Sequence, residues 1–263
     1  MHAKKIAFFR LVGSVTATMV LFGLGTTLAH AGPPFVTDDP EPTGYRHWEI
    51  YSGFTYTRDD SGSVDASFPF AEFNYGALPN VQMSISLPMT FTEATPADRP
   101  HYRTGGVDFG IKVRFVEESQ TRPQISFYPS IETPSPGSGN RTVTSLPIWL
   151  QKSWGRWTAF GGAGLYLNPG LRHRNYSFAG GALERALSPG TTVGAELFRE
   201  SAASLRDRGT AGTNVGAIMQ VGTYHAVLFS IGRGLSNGDR LSSYASYEFE
   251  LGPSDRGGAS FER

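Results

Sequence analysis

The chain has 263 residues, 23 Lys+Arg against 23 Asp+Glu, 13% aromatic and 17% charged residues, 32 Gly, 17 Pro and no Cys, with a mean hydropathy of −0.24. That average is too polar for a bundle of membrane helices, each of which needs about 20 consecutive apolar residues, and too aromatic and weakly charged for a disordered chain. The lack of Cys excludes a disulfide scaffold and any thiolate zinc site.

Residues 1–31 read as a secretory leader. Lys4, Lys5 and Arg10 precede an uncharged, mostly apolar run from Leu11 to Leu28, and Ala29-His30-Ala31 fits an A-x-A cleavage site. An uncleaved helical anchor is the alternative, weakened by Thr, Ser and Gly within the run. Removal of this segment, which holds three bases and no acids, leaves 20 Lys+Arg against 23 Asp+Glu and a charge of −3. No basic excess is left to attract nucleic acid. Residues 32–46 are Pro-rich and acidic (GPPFVTDDPEP at their start), a composition that suits neither a helix nor a central strand.

From His47 the pattern changes to period two. Val81, Met83, Ile85 and Leu87 alternate with Gln82, Ser84 and Ser86; Val107, Phe109, Ile111, Val113 and Phe115 alternate with Asp108, Gly110, Lys112 and Arg114; Val215, Ala217, Met219 and Val221 share one apolar face. Each is a strand with one apolar and one polar side. The same pattern predicts about twelve strands, near 47–57, 64–75, 81–93, 105–116, 124–132, 142–153, 157–167, 176–187, 191–199, 213–223, 226–234 and 241–251. At 9–12 residues they match tilted membrane-crossing strands. Ala179 to Leu187 reads as helix by propensity, and only its neighbours make it a strand. The uncharged stretch from Gly209 to Gly232 carries an arginine-free interior broken by Gly and a Tyr224-His225 turn, which favours a hairpin over a helix.

The connections alternate between tight ones (76–80, 117–122, 154–156, 188–190, 224–225) and longer polar ones (94–104, 168–175, 200–210), as in an outer-membrane barrel with short periplasmic turns and longer external loops. Tyr75, Phe115, Trp154, Trp157 and Tyr224 lie beside tight turns, where an aromatic girdle belongs. The expected fold is all-β, an antiparallel transmembrane up-and-down β-barrel of about 12 strands over 47–251, with a tail at 252–263, in contact with outer-membrane lipid. A soluble sandwich or lipocalin-like barrel would also alternate, with its apolar face inward.

The segments GPPFVTDDPEP, HWEIY, FNYGALPNVQMSISLP, LPIWLQKSWGRWTAFGGAG and NYSFAGGALERAL together resemble a bacterial outer-membrane family labelled for the meta-pathway of phenol degradation, often called simply transporters. The resemblance covers most of the chain after the leader. It implies a barrel preceded by a Pro-rich segment, and uptake of small aromatic compounds, without naming residues that perform it. The closing strand YASYEFEL is similar to the aromatic-rich signal that ends such barrels, although twelve residues follow it.

Twelve strands fall between the filled eight-stranded barrel and the open channel of sixteen or more, so the lumen is expected to be narrow. Alternation makes Glu49, Glu72, Asp108, Lys112, Arg114, Glu132, Arg185, Glu196, Arg233, Glu248 and Glu250 the candidates for its lining. Such charges either form a constriction that orders a passing solute or pair with one another in a closed, structural or surface-binding barrel. Asp38, Asp39 and Glu41 either plug the mouth against Lys112 or Arg114 or belong to a solvated lead-in. No catalytic, metal or cofactor site is expected. His47, His101, His173 and His225 are scattered, with no nucleophile elbow and no ligand spacing. The paired glycines 161–162 and 180–181 follow no phosphate-loop pattern and suit close strand packing instead.

Overall fold

The computed structural model describes residues 34–59, 62–93, 101–205, 208–236 and 241–253. The leader expected over 1–31, the stretch 94–100 and the tail from 254 onward lie outside these residues. Fourteen strand segments follow in chain order. They are β1 (Trp48–Arg58), β2 (Val64–Leu78), β3 (Val81–Glu93), β4 (His101–Thr104), β5 (Asp108–Val116), β6 (Gln124–Phe127), β7 (Ser130–Glu132), β8 (Val143–Trp154), β9 (Trp157–Leu167), β10 (Tyr176–Ser188), β11 (Thr191–Glu200), β12 (Thr210–Gly222), β13 (His225–Ser236) and β14 (Leu241–Leu251). All pairings between them are antiparallel, and β14 closes onto β1 from Trp48↔Leu251 to Arg58↔Leu241.

The segments make twelve staves. β4 and β5 both pair with β3, at residues 89–92 and 81–86, and so form one stave interrupted at 105–107. The Gly105 amide donates to the Pro88 carbonyl at 2.8 Å, which keeps the ladder bonded across the break. β6 and β7 both lie between β5 and β8 and form another stave, interrupted at Tyr128-Pro129. There the Tyr128 amide donates to the Pro147 carbonyl and the Ile111 amide to the Pro129 carbonyl. The result is a closed twelve-stranded antiparallel barrel, with β4 the segment that is paired on one side only. One detail differs from the sequence reading: 101–104 is strand, because the ladder on β3 continues past the tight part of the loop.

The apolar side of the alternation faces outward. Ile111, Leu197, Val215 and Ile231 are each close to half exposed or more, whereas a soluble barrel would turn them in. Trp48, Trp154, Trp157 and Tyr224 are exposed on the same outer face at the tight-turn end, with Trp48 and Tyr75 ring centroids 4.6 Å apart. Asn80 and Gly155 adopt left-handed conformations in the tight turns there. The segment AGGALERAL is strand, paired on both sides from Phe178↔Gly164 to Arg185↔Trp157 and from Phe178↔Glu200 to Arg185↔Val193. Ladder hydrogen bonds from both neighbours outweigh its helical propensity.

Candidate functional site

The interior is crossed by the Pro-rich segment from Pro34 to Gly44, here called the strap. It starts from the tight-turn end, where the Arg46 amide donates to the Gly76 carbonyl at 2.7 Å and Tyr45 bridges Gly76. Thr43 gives both its amide and its hydroxyl to Gln82 Oε1, at 2.8 and 3.1 Å. Glu41 pairs with Arg114 at 2.5 Å, and Asp38 with Lys112 at 3.1 Å. At the far side the Val36 and Thr37 amides donate to the two oxygens of Glu196, each at 2.9 Å. Asn214 steadies that carboxylate through its amide nitrogen.

The strap's composition explains how a stretch without regular structure can be buried. A backbone amide left unpaired inside a protein costs free energy comparable to a lost hydrogen bond. Pro34, Pro40 and Pro42 have no amide to satisfy. The Asp39 amide is met by Asp38 Oδ1 at 2.8 Å, and the Glu41 amide by Asp39 Oδ1 at 2.7 Å. Space comes from glycine. A Cβ at Gly194 or Gly216 would come within 3.1 Å of the Phe35 ring, and one at Gly180 would overlap the Thr37 hydroxyl. Phe35 also packs against Phe160, with centroids 6.4 Å apart.

β11, which carries Glu196, and β5, which carries Lys112 and Arg114, are five staves apart in a ring of twelve. The strap is therefore anchored on nearly opposite walls. Burial in this setting pushes the Asp39 carboxyl up from 3.8 to about 7, with Lys112 pulling it back down and Asp38 adding to the rise.

Nine of the lumen residues expected from alternation lie on the inner face. Glu49 and Glu248 are buried on adjacent staves with Tyr51 between them, whose hydroxyl donates to Glu248 at 3.0 Å. Glu72 accepts from Asn74 at 2.9 Å, Asp108 from the Ser130 hydroxyl at 2.9 Å, and Glu132 lies beside Asp108 in the register. Glu250 lines the cavity at the tight-turn end. Lys112, Arg114 and Glu196 hold the strap, as described.

Arg185 and Arg233 point the other way. Arg185 is exposed on the outer face with Leu183 and Leu187, its guanidinium 5.2 Å from the centre of the Trp157 ring. Arg233 shares the outer face with Phe229, Ile231 and Leu235. The phase of each strand is fixed by its buried residues, Phe178 and Ala182 on β10 and Ala226 and Leu228 on β13, and one step of register puts a neighbour on the opposite face.

The same phase turns Glu184 inward, a residue the sequence reading missed although the outward Leu183 and Leu187 would have located it. Also missed is a run of aromatic rings along one inner wall. Tyr166 stacks on Tyr176 at 4.6 Å near the loop end; Phe178 stacks on Phe198 at 6.2 Å and meets Trp149 edge-on at 6.0 Å; Phe160 follows below, against the strap. Between strap and tight turns lies a cavity of about 1180 Å³, lined in part by Glu49, Phe160, Glu184, Ile218 and Glu250. A smaller one of about 250 Å³ lies beside Lys112, Tyr128 and Tyr244.

Twelve staves, an apolar exterior and a charged interior crossed by the chain's own N-terminal segment define a barrel of the outer-membrane type. The chain is similar in structure to an outer-membrane channel from Pseudomonas putida F1, with a TM-score of 0.64, 11% identity, and coverage of 80% of this chain and 99% of that one. It is also similar to the translocator domain of the autotransporter NalP from Neisseria meningitidis (TM-score 0.51, 12% identity, 79% and 89% covered) and to the NanC porin (0.51, 8%, 78% and 100%). At these identities the likeness defines the fold. No family model matches the sequence, and no curated protein matches it.

Proposed function

We propose that the chain is a bacterial outer-membrane channel for small solutes, held closed in this state by its N-terminal strap. The observation that carries this reading is the anchoring of one extended segment on two nearly opposite walls, at Glu196 and at Lys112 with Arg114. The leader, cleaved before Gly32, would deliver the chain to the periplasm and release the strap's end. The solute in this reading is small and aromatic or hydrophobic. The ladder of rings from Tyr166 to Phe160 supports this, because stacked rings offer successive sites of similar strength and conduction needs binding that is weak and repeated. The motif resemblance to the phenol-degradation family points the same way. The reading assigns transport and no catalysis.

Liposome swelling tests it. Vesicles carrying the chain without residues 34–43 should swell faster than vesicles carrying the intact chain. Phenylalanine should enter at least as fast as the smaller leucine. Equal, negligible swelling for both proteins would favour the other reading, a closed barrel whose paired interior, such as the Glu49–Tyr51–Glu248 group, serves structure and whose loops serve binding.

A further inference from the structure

We propose that Lys112 and Arg114 form a binding site for a small organic carboxylate, and that the strap occupies it as an internal ligand. Two features separate this site from an ordinary pair of salt bridges. First, Arg114 is oriented by the wall and not by the strap. Its Nε and one terminal nitrogen both donate to Asn80 Oδ1, at 3.0 and 2.6 Å, and the other terminal nitrogen donates to Gln124 at 3.1 Å while it meets Glu41. The guanidinium thus stays aimed into the lumen when the strap leaves. Second, Lys112 depends on the strap entirely. Among the described residues every hydrogen bond of its ammonium ends there, on Asp38 Oδ1 at 3.2 Å and on the carbonyls of Asp39 and Glu41 at 2.9 and 3.4 Å. Lys112 is only 4% exposed, so withdrawal of the strap strips its hydrogen bonds and leaves the Tyr128 ring, 5.1 Å away, against it.

A buried cation that loses its partner is strongly unfavourable. An anion that takes the strap's place offsets that cost and so favours its release. The strap itself shows the chemistry required, carboxylates set against cations: Asp38 at 3.1 Å and Asp39 at 3.8 Å on Lys112, and Glu41 on Arg114. Beside Lys112 the 250 Å³ cavity, lined by Tyr51, Tyr128 and Tyr244 together with Glu49, accommodates the flat body of such a ligand. Glu72 lines the same cavity and disfavours additional negative charge on that body. A carboxylate that binds here competes directly with the strap and releases it. This deepens the channel reading and rests on it only for the consequence of release; the binding itself is measurable without conduction.

Benzoate is the probe and benzamide its neutral control. A tethered ligand acts at an effective concentration in the millimolar range, so removing its two closest charges in D38N/E41Q, with Asp39 left at 3.8 Å from Lys112, should tighten benzoate binding, measured by calorimetry on the refolded full chain, by about tenfold. Arg114→Gln in that background should abolish the gain. Equal benzoate affinity in the intact chain and D38N/E41Q, or binding of benzamide as tight as benzoate, would overturn the site. If D38N/E41Q fails to refold, Thr37→Cys in the otherwise cysteine-free chain supplies the second readout. Benzoate, and not benzamide, should expose the thiol to a maleimide; protection unchanged by benzoate overturns the proposal. Failure of the channel reading shows separately, as equal swelling with and without the strap.

Discussion

Glu196 is the residue on which docking of the strap turns most directly. It is 1% exposed, and its two oxygens accept from consecutive amides of the strap. Hydrogen bonds to an ionised group contribute about 1.5–3 kcal/mol each. Glu196→Gln keeps the shape, removes the charge and leaves one amide facing a donor. The expected cost is about 2 kcal/mol of docking, roughly a thirtyfold shift towards the undocked strap, read as faster maleimide labelling of a cysteine at position 37 with barrel migration unchanged. Asp39 gives the docked state a pH dependence. Burial raises its pKa on docking to about 7, so the docked strap binds a proton more tightly than the free one. Asp39's contribution to docking is therefore fully present below the ordinary carboxylate range and is lost as pH rises towards and through 7. Labelling at position 37 should accelerate over that window, and Asp39→Asn should remove Asp39's contribution to the acceleration.

At the scale of the strand, period two was legible and phase was less so. β3, β5 and β12 announce their outer faces through unbroken apolar residues, and Asp108, Lys112 and Arg114 on β5 follow directly. On β10 Leu183 and Leu187, and on β13 Phe229, Ile231 and Leu235, also mark an outer face, and Arg185 and Arg233 share it. A lone Arg in such a strand reads as polar and inward, yet an arginine beside the membrane interface can lie over a ring with its charge in the headgroup layer. Arg185 lies over the Trp157 ring, 5.2 Å from its centre. Arg185→Ala should lower the heat-dissociation midpoint slightly, in line with about 0.5–1 kcal/mol for an exposed cation–π pair, and leave conductance alone. The strap's acids and their partners were legible as chemistry, since acidic residues ahead of a barrel and two bases on an inner face invite pairing. The grip of Glu196 on backbone amides was not, because amides carry no sequence signal. The aromatic wall was hidden for another reason: Trp149, Phe160, Phe178 and Phe198 are apolar residues on the polar side of their strands, and only the closed register shows them converging.

For the whole molecule, the near-neutral total and modest hydropathy are averages over two unlike surfaces. The outside is apolar where lipid would touch it, and the inside is acidic except at the Lys112–Arg114 wall that the strap covers. A barrel of twelve staves is wide enough to need filling and too narrow to be left open by accident. Here the filling is a segment of ten or so residues without regular structure, held by side chains at its two ends rather than by a ladder. That construction makes it separable from the barrel. Single-channel conductance in a planar bilayer, compared between the intact chain and one lacking residues 34–43, addresses the central claim most directly, with heat-modifiable migration in detergent gels showing that both are folded. The strap account predicts small or no current for the intact chain and a larger, sustained current without the strap. Equal conductance from two folded barrels would contradict it.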